Sequence, residues 1–132
     1  MLDAETARVG CWLFLVSLCW GGTNPLLKSG CQGLDSVKVQ GPWWKQFFAE
    51  VLYIFGQKEY WIPFVINQLG GLLFFYSLSH VELSLAVPLT NSLTFVWTAL
   101  VESIFFGGKA PNQATVAGTG LVVLGVLCCI NK

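Results

Sequence analysis

Charge is what this sequence has least of. Seven Lys and Arg and seven Asp and Glu make up 11% of its 132 residues and cancel to a net charge of zero. An average soluble domain is roughly 25% charged. So sparse and balanced a set offers no basic footprint, and nucleic acid is not expected as a partner. There is one histidine, His80, and the five cysteines (Cys11, Cys19, Cys31, Cys128, Cys129) include no CxxC pair. A zinc site is therefore not expected, and neither is any other metal or cofactor. No HExxH, P-loop or nucleophile–His–acid set is present, which argues against an enzyme. No Asn-x-Ser/Thr glycosylation acceptor occurs.

Apolar residues are what remains. They make up 55% of the chain, with a mean hydropathy of +0.65. A soluble fold of this length could not hide so much apolar surface, so the class is a multi-pass membrane protein with the lipid bilayer as its first partner. Most of the cysteines then serve as small apolar side chains. Cys128 and Cys129, near a membrane boundary, are candidates for palmitoylation.

A bilayer core needs about 20 mostly apolar helical residues. Four windows qualify: about 9–27, closed by Lys28; about 60–79; about 83–106; and about 113–130, closed by Asn131-Lys132. Only helices and closed barrels satisfy backbone groups in lipid. The windows lack the strict alternation of barrel strands. The expected fold is all-α, an integral four-helix bundle in a single membrane domain covering 1–132. The first window reads as a span and not a signal peptide. Its n-region has Arg8 but also Asp3 and Glu5, the apolar run is long, and no small-x-small cleavage site follows Trp20.

The one sizeable loop ends in "GPWWKQFFAEVLYIFGQKEYW". Trp43, Trp44, Phe47, Phe48, Val51, Ile54 and Phe55 recur at spacings of three and four, with Lys45, Gln46 and Glu50 largely opposite. This predicts an amphipathic helix over about 43–55, opened by Pro42 and ended by Gly56, lying in the headgroup plane. A soluble loop helix is the alternative. Spans two and three, joined only by a few residues around His80-Val81-Glu82, should form a tight antiparallel hairpin. Spans three and four are joined by "GGKAPN", where Pro111 and Asn112 suit a helix start. Lys28, Lys38, Lys45, Lys58 and Lys109 lie on one side and Arg8 and Lys132 on the other. This bias places both termini away from the cytoplasm.

Polar residues within spans are costly and often functional. Here they are few. Span one has Thr23 and Asn24, following Trp20, Gly21 and Gly22 and preceding Pro25. Span two has Asn67 and Gln68, then Gly70 and Gly71. Span three has Pro88, Thr90, Asn91, Ser92, Thr94, Thr98 and Glu102, and span four Thr115 and Thr119. Two readings stand side by side. In one, amides are helix–helix glue and small residues allow close approach, with Gly21 and Gly22 on span one and Ala114, Gly118 and Gly125 marking a packing face on span four. In the other, Trp20, Asn24, Asn67, Gln68 and Asn91 line a polar cavity, and Pro25 and Pro88 each free a carbonyl beside it. Glu102 is the only carboxylate within a span. It either snorkels to the interface or, with His80, is one of two groups through which proton coupling could run.

"WGGTNPLLK" (Trp20–Lys28), "NQLGGLLFFYSL" (Asn67–Leu78) and "LAVPLTNSLTFVWTAL" (Leu85–Leu100) resemble the small four-helix transmembrane protein 234 family over nearly the whole chain. That family in turn resembles the drug/metabolite transporter superfamily. There the first helix often carries a Trp-Gly-x-Asn pattern followed by Lys, and a later helix a Pro-Leu segment, as Pro88-Leu89 here, then a last helix with Gly near its start and middle, as Gly118 and Gly125. One departure is that the superfamily's Gly-Glu pair before the last loop is Gly107-Gly108-Lys109 here. The resemblance implies a membrane bundle of transport ancestry and supplies no substrate. Four helices enclose too little space for a solute path, so the expectation is a transporter-like protein working as a homo-oligomer. The alternative is a non-transporting accessory protein that binds lipids or partner membrane proteins.

Overall fold

In a computed structural model the chain is described over residues 4–108 and 112–130. It forms five α-helices: α1 (Ala4–Gly30), α2 (Trp43–Gly56), α3 (Lys58–Leu78), α4 (Leu83–Phe105) and α5 (Gln113–Ile130), with a short 3-10 turn at Leu34–Ser36. No strand occurs among the described residues. Lys109, Pro111, Asn131 and Lys132, which entered the topology and helix-end expectations, and the Cys129 side chain lie outside them.

Helices α1, α3, α4 and α5 overlap the four apolar windows, and α2 overlaps the aromatic segment 43–55. Segments Ala7–Ser36, Lys58–Leu78 and Leu83–Phe105 are long and apolar enough to cross a membrane, and Gln113–Gly125 is a shorter apolar helix. Large apolar side chains point outward all along them: Phe14, Ile62, Leu72, Phe75, Phe95, Ile104 and Leu121 are all exposed. The buried interior is made of smaller residues, namely Val9, Leu13, Val16 and Ala86 with Ser17, Ser77, Thr90, Ser92 and Thr94. Such a distribution fits lipid as solvent, where helices associate by close packing of small residues and not by hiding large ones.

α1 is the centre of the molecule. It packs along both α3 and α4, which scarcely touch each other, and α5 packs on α4. This corrects the expected tight hairpin. The α3–α4 turn is short, but the two helices are splayed and α1 fills the space between them. Near the turn, Val9 and Leu13 of α1 and Ala86 of α4 form a buried cluster against Trp12, Phe74, Leu78, Val81 and Leu89. Trp12 wedges beside the turn, its ring 5.0 Å from Tyr76 and 5.5 Å from His80.

α1 has 27 residues, a length of about 40 Å against a hydrocarbon core of about 30 Å. It runs three residues past the expected end at Leu27 despite Pro25. A proline removes only its own N–H, leaving the Gly21 carbonyl without its helical donor. The ladder resumes beyond it, with the Cys31 N–H donating to Leu27 O at 3.1 Å. α2 ends where α3 begins, at Gln57 (φ −90°, ψ 104°). Trp61 Nε1 donates to Phe55 O at 2.9 Å across this corner, and the two rings stack edge-on at 4.9 Å. Pro42 caps α2 from outside, in extended conformation, so the helix opens at Trp43. The preceding loop is tied to α2 by Gln46, whose Oε1 accepts from Val39 N (2.8 Å) and whose Nε2 donates to Val37 O (2.5 Å).

Candidate functional site

The polar residues of the spans sort onto three seams. On the α1–α3 seam, Trp20 Nε1 donates to Asn67 O at 3.2 Å, and Asn67 Nδ2 donates to Thr23 Oγ1 at 2.9 Å. The Thr23 hydroxyl donates in turn to Cys19 O at 2.5 Å. Gly70 makes this contact possible: a Cβ there would sit 2.8 Å from Cys19 Cβ and 3.1 Å from the Trp20 ring. Trp20, Thr23, Asn67 and Gly70 thus form one closed cross-helix network.

On the α1–α4 seam, Asn24 Nδ2 donates to Thr98 Oγ1 at 3.2 Å, and one turn on Lys28 Nζ donates to Glu102 Oε1 at 3.0 Å. The partner of Asn24 is therefore a hydroxyl and not another amide. Glu102 is paired to a cation on the neighbouring span. Asn24/Lys28 and Thr98/Glu102 are both i,i+4 pairs, and an i,i+4 pair shares a helix face. That matched spacing was the signal in the sequence, and reading Glu102 by itself missed it. Gly21 sets the close approach: a Cβ there would overlap Trp97 Cβ and lie 2.6 Å from Thr94 O. Gly22 has open space around it, so the close approach belongs to Gly21 alone of that pair. Gly71 is likewise open beside Gly70. Pro25 is buried.

The third seam is a groove between α4 and α5, about 520 Å³ in volume. It is lined by Pro88, Asn91, Ser92, Phe95, Thr115, Gly118, Thr119 and Val122. Asn91 is exposed there. It lies eight residues into α4, about 12 Å along a helix of about 35 Å, and so about a third of the way along it. The four amides accordingly do not share one cavity. Asn67 and Asn24 are engaged on opposite sides of α1, Gln68 is exposed, and Asn91 faces the groove. Ala114 is exposed, and a Cβ added at Gly118 or Gly125 would meet no atom within 4 Å. Among the described residues Ala114, Gly118 and Gly125 therefore make no tight helix contact, because the α4–α5 seam stands open where the other two are closed.

Among the described residues no group of His, Cys, Asp and Glu is clustered as a metal site. At these seams the described residues offer hydrogen bonding and the Lys28–Glu102 ion pair, in a frame of exposed apolar helices. A family model described as "Putative transmembrane family 234" matches residues 13–130. The chain belongs to that family. A Transmembrane protein 234 homolog from Dictyostelium discoideum is 40% identical over 120 residues, covering 91% of this chain and 92% of that protein. One from Anopheles gambiae is 38% identical over 121 residues, covering 91% and 85%. No solved structure matches the chain significantly. Membership in transmembrane family 234 and three helices able to cross a membrane make this an integral, multi-pass membrane protein.

Proposed function

We propose that the protein handles a small solute at the α4–α5 groove, and that a second copy completes that groove. Asn91 carries the reading. An amide in hydrocarbon requires a polar partner. Asn24 and Asn67 each bond to a neighbouring helix, whereas Asn91 faces an open groove that a solute or a facing subunit could fill. The resemblance of Trp20–Lys28 and Pro88-Leu89 to drug/metabolite transporters favours transport ancestry. Pro88, one turn before Asn91, removes the N–H that would satisfy the Ser84 carbonyl, adding a free acceptor on the same helix. No enzymatic role is part of this reading.

The second reading, an accessory protein that binds lipids or partner membrane proteins, is favoured by the two closed seams, in which the span amides act as packing groups. Asn91→Leu and Asn24→Leu separate the two. If the groove is the working site, Asn91→Leu keeps the fold and abolishes solute flux in proteoliposomes screened against a broad metabolite panel, while Asn24→Leu lowers stability. Robust reconstitution of wild type with no flux for any solute favours the accessory reading.

A further inference from the structure

The α1–α4 seam ends in a ladder of polar groups that a solute site at the α4–α5 groove leaves unused. The pair Lys28–Glu102 sits within a turn of the ends of both helices, and its side chains are 76% and 39% exposed. Charged groups at the end of a span lie at headgroup level. The pair is held in place and still incompletely bonded. Glu102 is pinned by the glycine turn that ends α4. Its carbonyl accepts from Phe106 N and Gly108 N, at 3.2 and 3.1 Å, with Gly107 at φ 59°. A Cβ on Gly108 would lie 2.8 Å from Glu102 Cγ, so the turn packs against the base of the Glu102 side chain. Lys28 spends one of three donors on Glu102, and a carboxylate has about four acceptor positions. One turn deeper, about 5.4 Å along the axis, Asn24 retains a second amide N–H and its carbonyl oxygen beyond its bond to Thr98.

The geometry points to a binding site for the headgroup of one zwitterionic phospholipid. Lys28 takes the phosphate, Glu102 the ammonium or choline, and the spare Asn24 N–H an ester carbonyl below the phosphate. Both charges are needed for this choice. A cation alone would select anionic lipid, whereas a carboxylate 3.0 Å from it repels a headgroup that carries only negative charge. The order of groups along the seam, charged pair outermost and amide one turn inward, follows the order of groups in a phospholipid. The inference does not rest on the α4–α5 groove.

The test exchanges the purified full-length protein, in mild detergent, into equal amounts of phosphatidylcholine, phosphatidylethanolamine and phosphatidylglycerol with matched acyl chains. Co-purified phospholipid is then counted by mass spectrometry. Wild type is expected to carry the two zwitterionic lipids enriched about fivefold over phosphatidylglycerol, the scale of one exposed ion-pair contact. Glu102→Gln, which keeps size and hydrogen bonding but leaves Lys28 unopposed, is expected to invert the preference toward phosphatidylglycerol. A purely structural role for the pair would not produce an inversion. Lys28→Ala with Glu102→Ala returns the ratio to that of the input. If that double variant fails to fold, wild type and Glu102→Gln decide between them. Wild type carrying the input ratio overturns the proposal, as does zwitterionic enrichment that survives Glu102→Gln. Loss of the enrichment in Arg8→Gln, at the opposite end of α1, also overturns it by placing the lipid elsewhere.

Discussion

Two adjacent glycine pairs, Gly21-Gly22 and Gly70-Gly71, divide the same way: the first of each is pressed against a neighbouring helix and the second is open. Gly21→Ala and Gly70→Ala are expected to destabilise the protein by about 1–3 kcal/mol, the usual cost of forcing a methyl group into a packed contact. Gly22→Ala and Gly71→Ala are expected to be neutral or slightly stabilising, since alanine is the better helix former. Thermal unfolding of the four variants in detergent checks this, and equal losses within a pair would refute the assignment. Two threonines make a similar contrast. Thr90 is 0% exposed and its hydroxyl has no hydrogen-bond partner among the described residues, whereas the Thr23 hydroxyl accepts from Asn67 and donates to Cys19 O. A buried hydroxyl without a partner is costly, and one in a network is costly to remove. Thr90→Val should leave the melting temperature unchanged or raised, and Thr23→Val should lower it by the equivalent of about 1–2 kcal/mol. At this scale the sequence was least legible. It exposed which residues were polar, but whether a glycine is pressed or open depends on the rotation of a helix about its axis, and a two-residue pair does not reveal that.

Elements were far more legible, because their signals are long. The aromatic spacing of α2 placed it to within a residue. The structure adds that this helix leaves its aromatics uncovered, with Trp43 80% exposed and Trp44, Phe47, Phe48 and Phe55 exposed beside it. An apolar face of that size, on a helix joined directly to a span, is expected to lie on the membrane surface. Brominated lipids should quench tryptophan emission from Trp43 and Trp44. The comparison is the whole protein against a variant with both changed to Phe, and shallow bromine positions should quench more than deep ones. Deep-only quenching would place α2 elsewhere. The splaying of α3 and α4 was not readable, since a short turn fixes the separation of two chain ends in sequence and says nothing of what lies between the helices. The hydrophobic windows also hid which seams close. α1 and α5 look alike as apolar runs, yet α1 is flanked by helices on both sides and α5 by one.

For the molecule as a whole, the open α4–α5 seam and the closed α1 seams imply where a second copy would join. If the groove is completed by a facing subunit, light scattering on protein in nanodiscs should give a dimer or larger. Crosslinking through cysteines introduced at Gly118 or Gly125 should link copies, while a cysteine at the buried Gly70 should not. A clean monomer under conditions that support flux would remove the shared-groove reading. Composition made the membrane class plain, because charge content and apolar length are summed over the whole chain and local packing cannot override them. The partition of amides among three seams was hidden because it depends on which helices become neighbours.

The position of α1 has a consequence for how such a chain comes to be made. Of these helices, α1 leaves the ribosome before the others, and it ends up flanked on both sides by two helices that have little to hold them to each other. Until α4 arrives, α1 must wait in the bilayer with the Asn24 amide lacking its partner Thr98. Until α1 moves in sideways, the later pair has no seam to close. Residues 42–132 produced alone should therefore be degraded in the cell, and producing residues 1–41 beside them should restore their lifetime. Assembly would then be a lateral docking of one solitary helix between two later ones, and the bilayer dwell time of that helix becomes the step most open to chaperones.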